Sequence, residues 1–95
     1  MARAIWNGTV IAESDDTEFV EGNHYFPRAA LVADYFEPSD HTTVCGWKGT
    51  ATYFHLVGDG ERVENAAWVY EQTKPAAKNI EGYVAFYRTK VDVQP

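Results

Sequence analysis

Apolar and polar positions alternate along most of this chain, and short glycine-containing breaks cut the alternation into strand-length pieces. Ala4-Ile5-Trp6 and Val10-Ile11-Ala12 flank Asn7-Gly8, a dipeptide suited to a tight turn with positive φ, so the start reads as a hairpin. Thr17 to Glu21 resumes the alternation until Gly22-Asn23 breaks it. From Arg28 to Glu37 the period changes: Leu31, Val32, Tyr35 and Phe36 fall at helical spacing after Pro27, and Pro38 restricts the end. This predicts one short helix of two to three turns. Thr50 to Val57 and Glu61 to Tyr70 are strand-like around Gly58-Asp59-Gly60. Pro75-Ala76-Ala77-Lys78 suggests one helical turn. A last strand is expected over 83–93, with Tyr83, Ala85, Tyr87, Val91 and Val93 on one face. The pattern is mainly antiparallel β, with one helix between two strand-rich halves.

Ninety-five residues leave room for a single domain, 1–95, and 14 aromatic rings supply much buried area for its core. A formal charge of −6 without a basic run argues against nucleic acid and anionic membranes as partners. One cysteine excludes an intrachain disulfide and any zinc site needing two thiolates, and it fits a reducing cytoplasm. No run of 18 apolar residues is present, so the expected location is cytoplasmic.

The densest chemistry lies in Cys45-Gly46-Trp47-Lys48-Gly49. The two glycines suggest a bend that projects Cys45 and Lys48 toward a cleft, with Trp47 packed beneath. Cys45 is a candidate nucleophile if Lys48 or His41 favours its thiolate, and otherwise a small inert hydrophobe. Glu21-Gly22-Asn23-His24-Tyr25 sets a carboxylate, an amide, an imidazole and a phenol around a second glycine bend. Glu21, Asn23 and Tyr25 are candidates to face a ligand, although Asn23 also suits a left-handed turn. Trp47, Tyr53, Tyr70 and Tyr87 would line the walls, and Trp68 reads as core. His24, His41 and His55 show no metal-ligand spacing, so no metal is expected.

Four stretches carry a family resemblance: Val20 to Pro27, Thr43 to Tyr53, Ala66 to Tyr70, and Ile80 to Tyr87. In this order and spacing they resemble the bacterial domain-of-unknown-function family 427, across nearly the whole chain. The resemblance implies a β-tent-like fold, small antiparallel sheets meeting at an angle, without the paired zinc ligands of other β-tents. Family members usually read Cys-Pro-Trp-Lys-Gly, whereas position 46 here is glycine, which frees the backbone beside Cys45. The family also carries the label nucleotidyltransferase. Against that label, the chain has no D-x-D and no phosphate-binding loop; Glu13-x-Asp15 is the nearest carboxylate pair.

The expected function is binding of an unidentified small molecule, without a cofactor, around residues 45–49. Lys48 would meet an anionic or carbonyl group, and Glu21 and Tyr25 would supply hydrogen bonds. The alternatives are an enzyme, by the family label or through Cys45, and a homodimeric interaction module using edge strands or exposed rings near Trp6.

Overall fold

The computed structural model describes every residue from Met1 to Pro95, and its strands form three antiparallel sheets. In the first, β1 (Ala2–Trp6) lies between β2 (Thr9–Ser14) and β9 (Asp92–Gln94). Asn7 and Gly8 make the β1–β2 turn with φ of 50° and 77°, the left-handed pair that the dipeptide anticipated. The second sheet is the hairpin of β3 (Glu18–Val20) and β4 (Asn23–Tyr25), which turns on Glu21 and Gly22. The third runs in chain order through β5 (Phe36–Cys45), β6 (Gly49–Gly58), β7 (Glu61–Val69) and β8 (Val84–Phe86).

The helix expected over 28–37 is not formed. Two 3₁₀ turns, Arg28–Ala30 and Ala33–Tyr35, stand there instead, separated by extended Leu31 and Val32. Leu31 bridges to Ala12, and the Val32 N–H donates to the Ile11 carbonyl at 2.8 Å, so sheet pairing takes the backbone groups a helix would use. Phe36 already belongs to β5, opposite Leu56, and Pro38 lies inside that strand rather than ending a helix. Edge position explains the proline: β5 pairs on one side only, and its register shifts between Pro38 and Thr42. The four apolar residues at helical spacing therefore serve a short connector and the start of a strand, where tertiary pairing overrides local propensity.

The strand expected over 83–93 is broken as well. Val84, Ala85 and Phe86 are all buried, so the expected alternation of faces fails. After them the chain turns, with the Lys90 and Val91 N–H groups donating to the Tyr87 carbonyl, and β9 crosses to pair with β1. Pro75–Ile80 forms a 3₁₀ segment, in line with the helical turn read from the sequence.

Two hydrophobic clusters fill the interior. The larger contains Trp6, Ile11, Phe26, Phe54, Leu56, Val69, Val84, Phe86 and Val91 with a set of alanines. Trp6 is therefore core and offers no exposed ring for an interface. The smaller gathers Tyr25, Ala51, Tyr53, Tyr70, Ala77, Ile80 and Ala85, with Cys45 and Trp68 packed against it. Antiparallel pairing through Phe26 and Val84, whose N–H and C=O groups exchange bonds of 2.7 and 2.8 Å, ties the β3–β4 hairpin to β8. That tie brings Glu21 over the second cluster. No helix is long and apolar enough to cross a membrane.

Candidate functional site

Cys45 ends β5 and pairs with Gly49 at the start of β6, so Gly46-Trp47-Lys48 is the whole connection of that hairpin. Gly49 has φ +126°, and a Cβ there would stand 3.0 Å from the Gln72 carbonyl oxygen. Only glycine fits both conditions. Gly46 has no such demand: its φ lies outside the left-handed region, and a Cβ would meet nothing within 4 Å. The segment after β7 fastens the connection. Lys74 N–H donates to the Lys48 carbonyl at 2.9 Å, and Lys74 Nζ donates to the Gly46 carbonyl at 2.6 Å.

The expected orientation within the motif is reversed. Lys48 is the most enclosed member, 5% exposed, while Trp47 is 41% exposed and lies over it rather than beneath. The Lys48 ammonium is 4.7 Å from the Trp47 ring centroid and 5.8 Å from that of Tyr70. It forms an ion pair with Glu21 and donates toward Cys45 Sγ at 3.7 Å. A buried cation needs a counter-charge, and Glu21 supplies it from a side chain that is itself 56% exposed. The left-handed Glu21 backbone, φ 52°, lets the tight β3–β4 turn present that carboxylate.

These contacts shift the local acids. Burial acts to lower the Lys48 pKa, but the Glu21 hydrogen bond, with Tyr70, Tyr25 and Cys45, outweighs it and holds the ammonium above its ordinary range. Hydrogen bonding from Lys48 keeps the Glu21 carboxyl below the usual carboxylate range, against some desolvation. The Cys45 thiol is lowered first by the Trp47 backbone N–H, then by that of Lys48, with the ammonium adding a smaller part against desolvation. Burial raises Tyr25 and Tyr70.

The other expected residues fall in four places. Tyr25 is buried, and its hydroxyl accepts a bond from Trp68 Nε1 at 3.2 Å; Trp68 is thus a polar partner as well as a packing residue. Tyr53 and Tyr87 stack with centroids 6.3 Å apart and hydroxyls at 3.3 Å, and Thr43 shares a 2.9 Å bond with the Tyr53 hydroxyl. The bond with Tyr53, reinforced by burial, pushes Tyr87 up to about 12. Tyr70 stands beside Lys48, and its hydroxyl has no hydrogen-bond partner within the protein. Asn23 does not join this group and lines a separate cleft with His24.

Thr43 and Lys74 bond to these residues, although neither was a candidate site residue in the sequence. One is an ordinary strand threonine and the other a lysine 26 positions beyond Lys48, and only pairing of the segments brings them in. His41 packs its ring 4.6 Å from Tyr53, and His55 Nδ1 accepts the Asn65 N–H at 3.0 Å, which braces a left-handed residue in β7. No three side chains among His, Cys, Asp and Glu converge as metal ligands. None of the three concavities of the molecule is lined by Cys45, Trp47, Lys48, Tyr53, Tyr70 or Tyr87. Lys48 lies under its own cover of Trp47 and Glu21.

The model of one family matches residues 1–94. The chain belongs to the family described as domain of unknown function DUF427. No match is found among curated proteins.

Proposed function

We propose that this DUF427 protein binds a small molecule carrying a carboxylate or polarised carbonyl at the Lys48 ammonium. The observation that supports the reading most is the mismatch in the ion pair: a cation 5% exposed is balanced by a carboxylate that is more than half exposed. Glu21 can swing into water at little cost, whereas Lys48 cannot leave its aromatic surroundings. An incoming anion that replaces Glu21 would keep the buried charge satisfied. The unpartnered Tyr70 hydroxyl would supply a hydrogen bond, and the exposed Trp47 face would cover the apolar part of the ligand.

Titrating the ¹⁵N-labelled protein with pooled metabolites tests this, because Trp47 contributes a single indole N–H signal. Saturable shifts at that indole and at the amides of residues 45–49 are expected, and Lys48→Met should abolish them. The melting temperature of Lys48→Met should stay close to that of the parent, since Glu21 is left in water rather than in a buried site. Unfolding of that variant would make Lys48 a structural residue and remove the anchor of the proposal.

A second reading has its own support. The Lys48 ammonium donates toward the Cys45 sulfur at 3.7 Å, and the thiol is lowered from its ordinary value, chiefly by the neighbouring backbone N–H groups, which favours a thiolate nucleophile. A carbonyl-bearing ligand held by Lys48 would then lie beside that nucleophile. Faster alkylation of Cys45 than of a small-molecule thiol at neutral pH supports this reading, and inertness removes it.

A further inference from the structure

Eight lysines and arginines serve this chain, and seven of them are engaged. Arg3 pairs with Glu13, Arg28 with Glu71, Lys48 with Glu21, Arg62 with Glu37 and Lys78 with Glu81. Lys74 and Lys90 donate to the carbonyls of Gly46 and Glu64. Arg88 alone has neither an ion pair nor a hydrogen bond to the rest of the protein. In a chain with 14 carboxylates this is notable, because partners are plentiful on the surface. The guanidinium instead lies against the β3–β4 turn, with Nη2 3.8 Å from where a Cβ on Gly22 would stand.

Arg88 also lines a cleft of about 250 Å³, whose other walls are Phe19, Gly22, Asn23, His24, Phe86, Val93 and Pro95. Phe19 is 64% exposed, a large ring left in water, and it packs tilted against His24 at 4.7 Å. His24 is fixed through Nδ1, which shares a 3.1 Å hydrogen bond with Thr17 Oγ1, and its Nε2 has no partner. The Asn23 side-chain amide has none either. One end of the cleft therefore offers a planar fork of N–H donors, and the remainder offers ring faces and an apolar floor.

We infer that this cleft is a second ligand site, taking a small monocarboxylate with a planar, apolar body. The carboxylate meets the guanidinium fork through two parallel N–H···O bonds, the geometry in which arginine outperforms lysine. The body lies along Phe19 and His24, above Phe86. One unpaired cation in a protein of charge −6 balances one negative charge, which favours a carboxylate over a doubly charged phosphate. The volume suits a single ring with its carboxylate rather than a nucleotide. This site is separate from the Lys48 cluster and does not depend on the function proposed for it.

Benzoate and inorganic phosphate are the probes, read by ¹⁵N NMR on the intact chain. Benzoate should give saturable shifts at the amides of Phe19, Gly22, Asn23 and His24 and at the Arg88 Nε–H. Arg88→Gln should weaken binding at least about ten-fold, since a charged bidentate contact is lost. The exposed and unpaired Arg88 holds nothing in the fold, so this variant should melt like the parent. Lys48→Met should leave benzoate affinity at the cleft unchanged, and phosphate should shift none of these signals. Absence of saturation, equal affinity in Arg88→Gln, or phosphate binding as well as benzoate would overturn the inference. Shifts confined to Trp47 and residues 45–49 would also overturn it while supporting the Lys48 site, so the two proposals fail separately.

Discussion

The two interior clusters are built on different chemistry. Around Leu56, Phe86 and Val84 the core is made of aliphatic side chains, phenylalanines, alanines and Trp6, and Phe26 and Phe86 meet edge to face with centroids 5.6 Å apart. Around Tyr53 and Tyr70 the rings carry hydroxyls, and those of Tyr25, Tyr53 and Tyr87 are paired with Trp68, Thr43 or one another. The first cluster has the Trp6 indole nitrogen as its one buried polar side-chain group and gains stability mainly from burial and shape. The second accepts polar atoms, and in doing so it can surround a lysine ammonium with ring faces and a thiol. A small domain can thus keep a charged corner without weakening its core, provided every buried polar group there has a partner or reaches water; none is stranded in this molecule.

That contrast can be broken by experiment. Leu56→Ala, in the dry cluster at 0% exposure, should lose about 2–5 kcal/mol of stability through lost burial and a residual cavity. Denaturant unfolding measures it, and a loss below that of any tyrosine variant would reverse the assignment of which cluster carries stability. Tyr53→Phe removes only a hydroxyl bonded to Thr43 and Tyr87 and should cost about 0.5–1.5 kcal/mol by the same measurement.

Alkaline titration sharpens the comparison without mutation of the core. Tyr25, Tyr70 and Tyr87 have raised pKa values, so the folded state favours their neutral forms. Their stabilising share is complete below the ordinary tyrosine pKa, about 10, and is lost as pH rises through the raised folded values. Ultraviolet titration should show a phenolate step near 12 that disappears in Tyr87→Phe. A titration curve unchanged by that substitution would place the late step elsewhere.

The smallest effect concerns Cys45. Its alkylation rate should rise with a midpoint below the ordinary thiol range of about 8.5–9. Lys48→Met should move that midpoint upward only in part, because the Trp47 backbone N–H is the leading cause and survives the substitution. Full restoration to the ordinary range would make the ammonium, rather than the backbone turn, the source of the shift.

Local punctuation in the sequence carried real structural content. Asn7-Gly8 and Gly58-Asp59-Gly60 specified their hairpins because a tight turn needs positive φ, and Asn7, Gly8, Asp59 and Gly60 all adopt it. Clustered chemistry was also legible where chain neighbours stay neighbours: Cys45, Trp47 and Lys48 share one hairpin connection. Glu21 and Tyr25 were singled out from the sequence, but their contacts with Lys48 and Trp68 could not be read there. The 28–37 segment shows the limit. Its apolar spacing fits a helix, but the unpaired edge of β2 competes for the same backbone groups and wins. Likewise the break at Tyr87 serves two sheets that lie far apart in the chain.

By itself, then, the sequence determined the family, the mainly antiparallel β class, the tight turns and the motif that holds the buried lysine. These depend on φ preferences, on period-two burial and on residues close in the chain. Only the tertiary structure decided that Lys48 lies inside and Trp47 outside, that Glu21 is the lysine's counter-ion, and that Arg88 faces a cleft without a partner. Each of those facts depends on which strand edges meet, and pairing between distant segments follows from competition among all available edges rather than from any local run of residues.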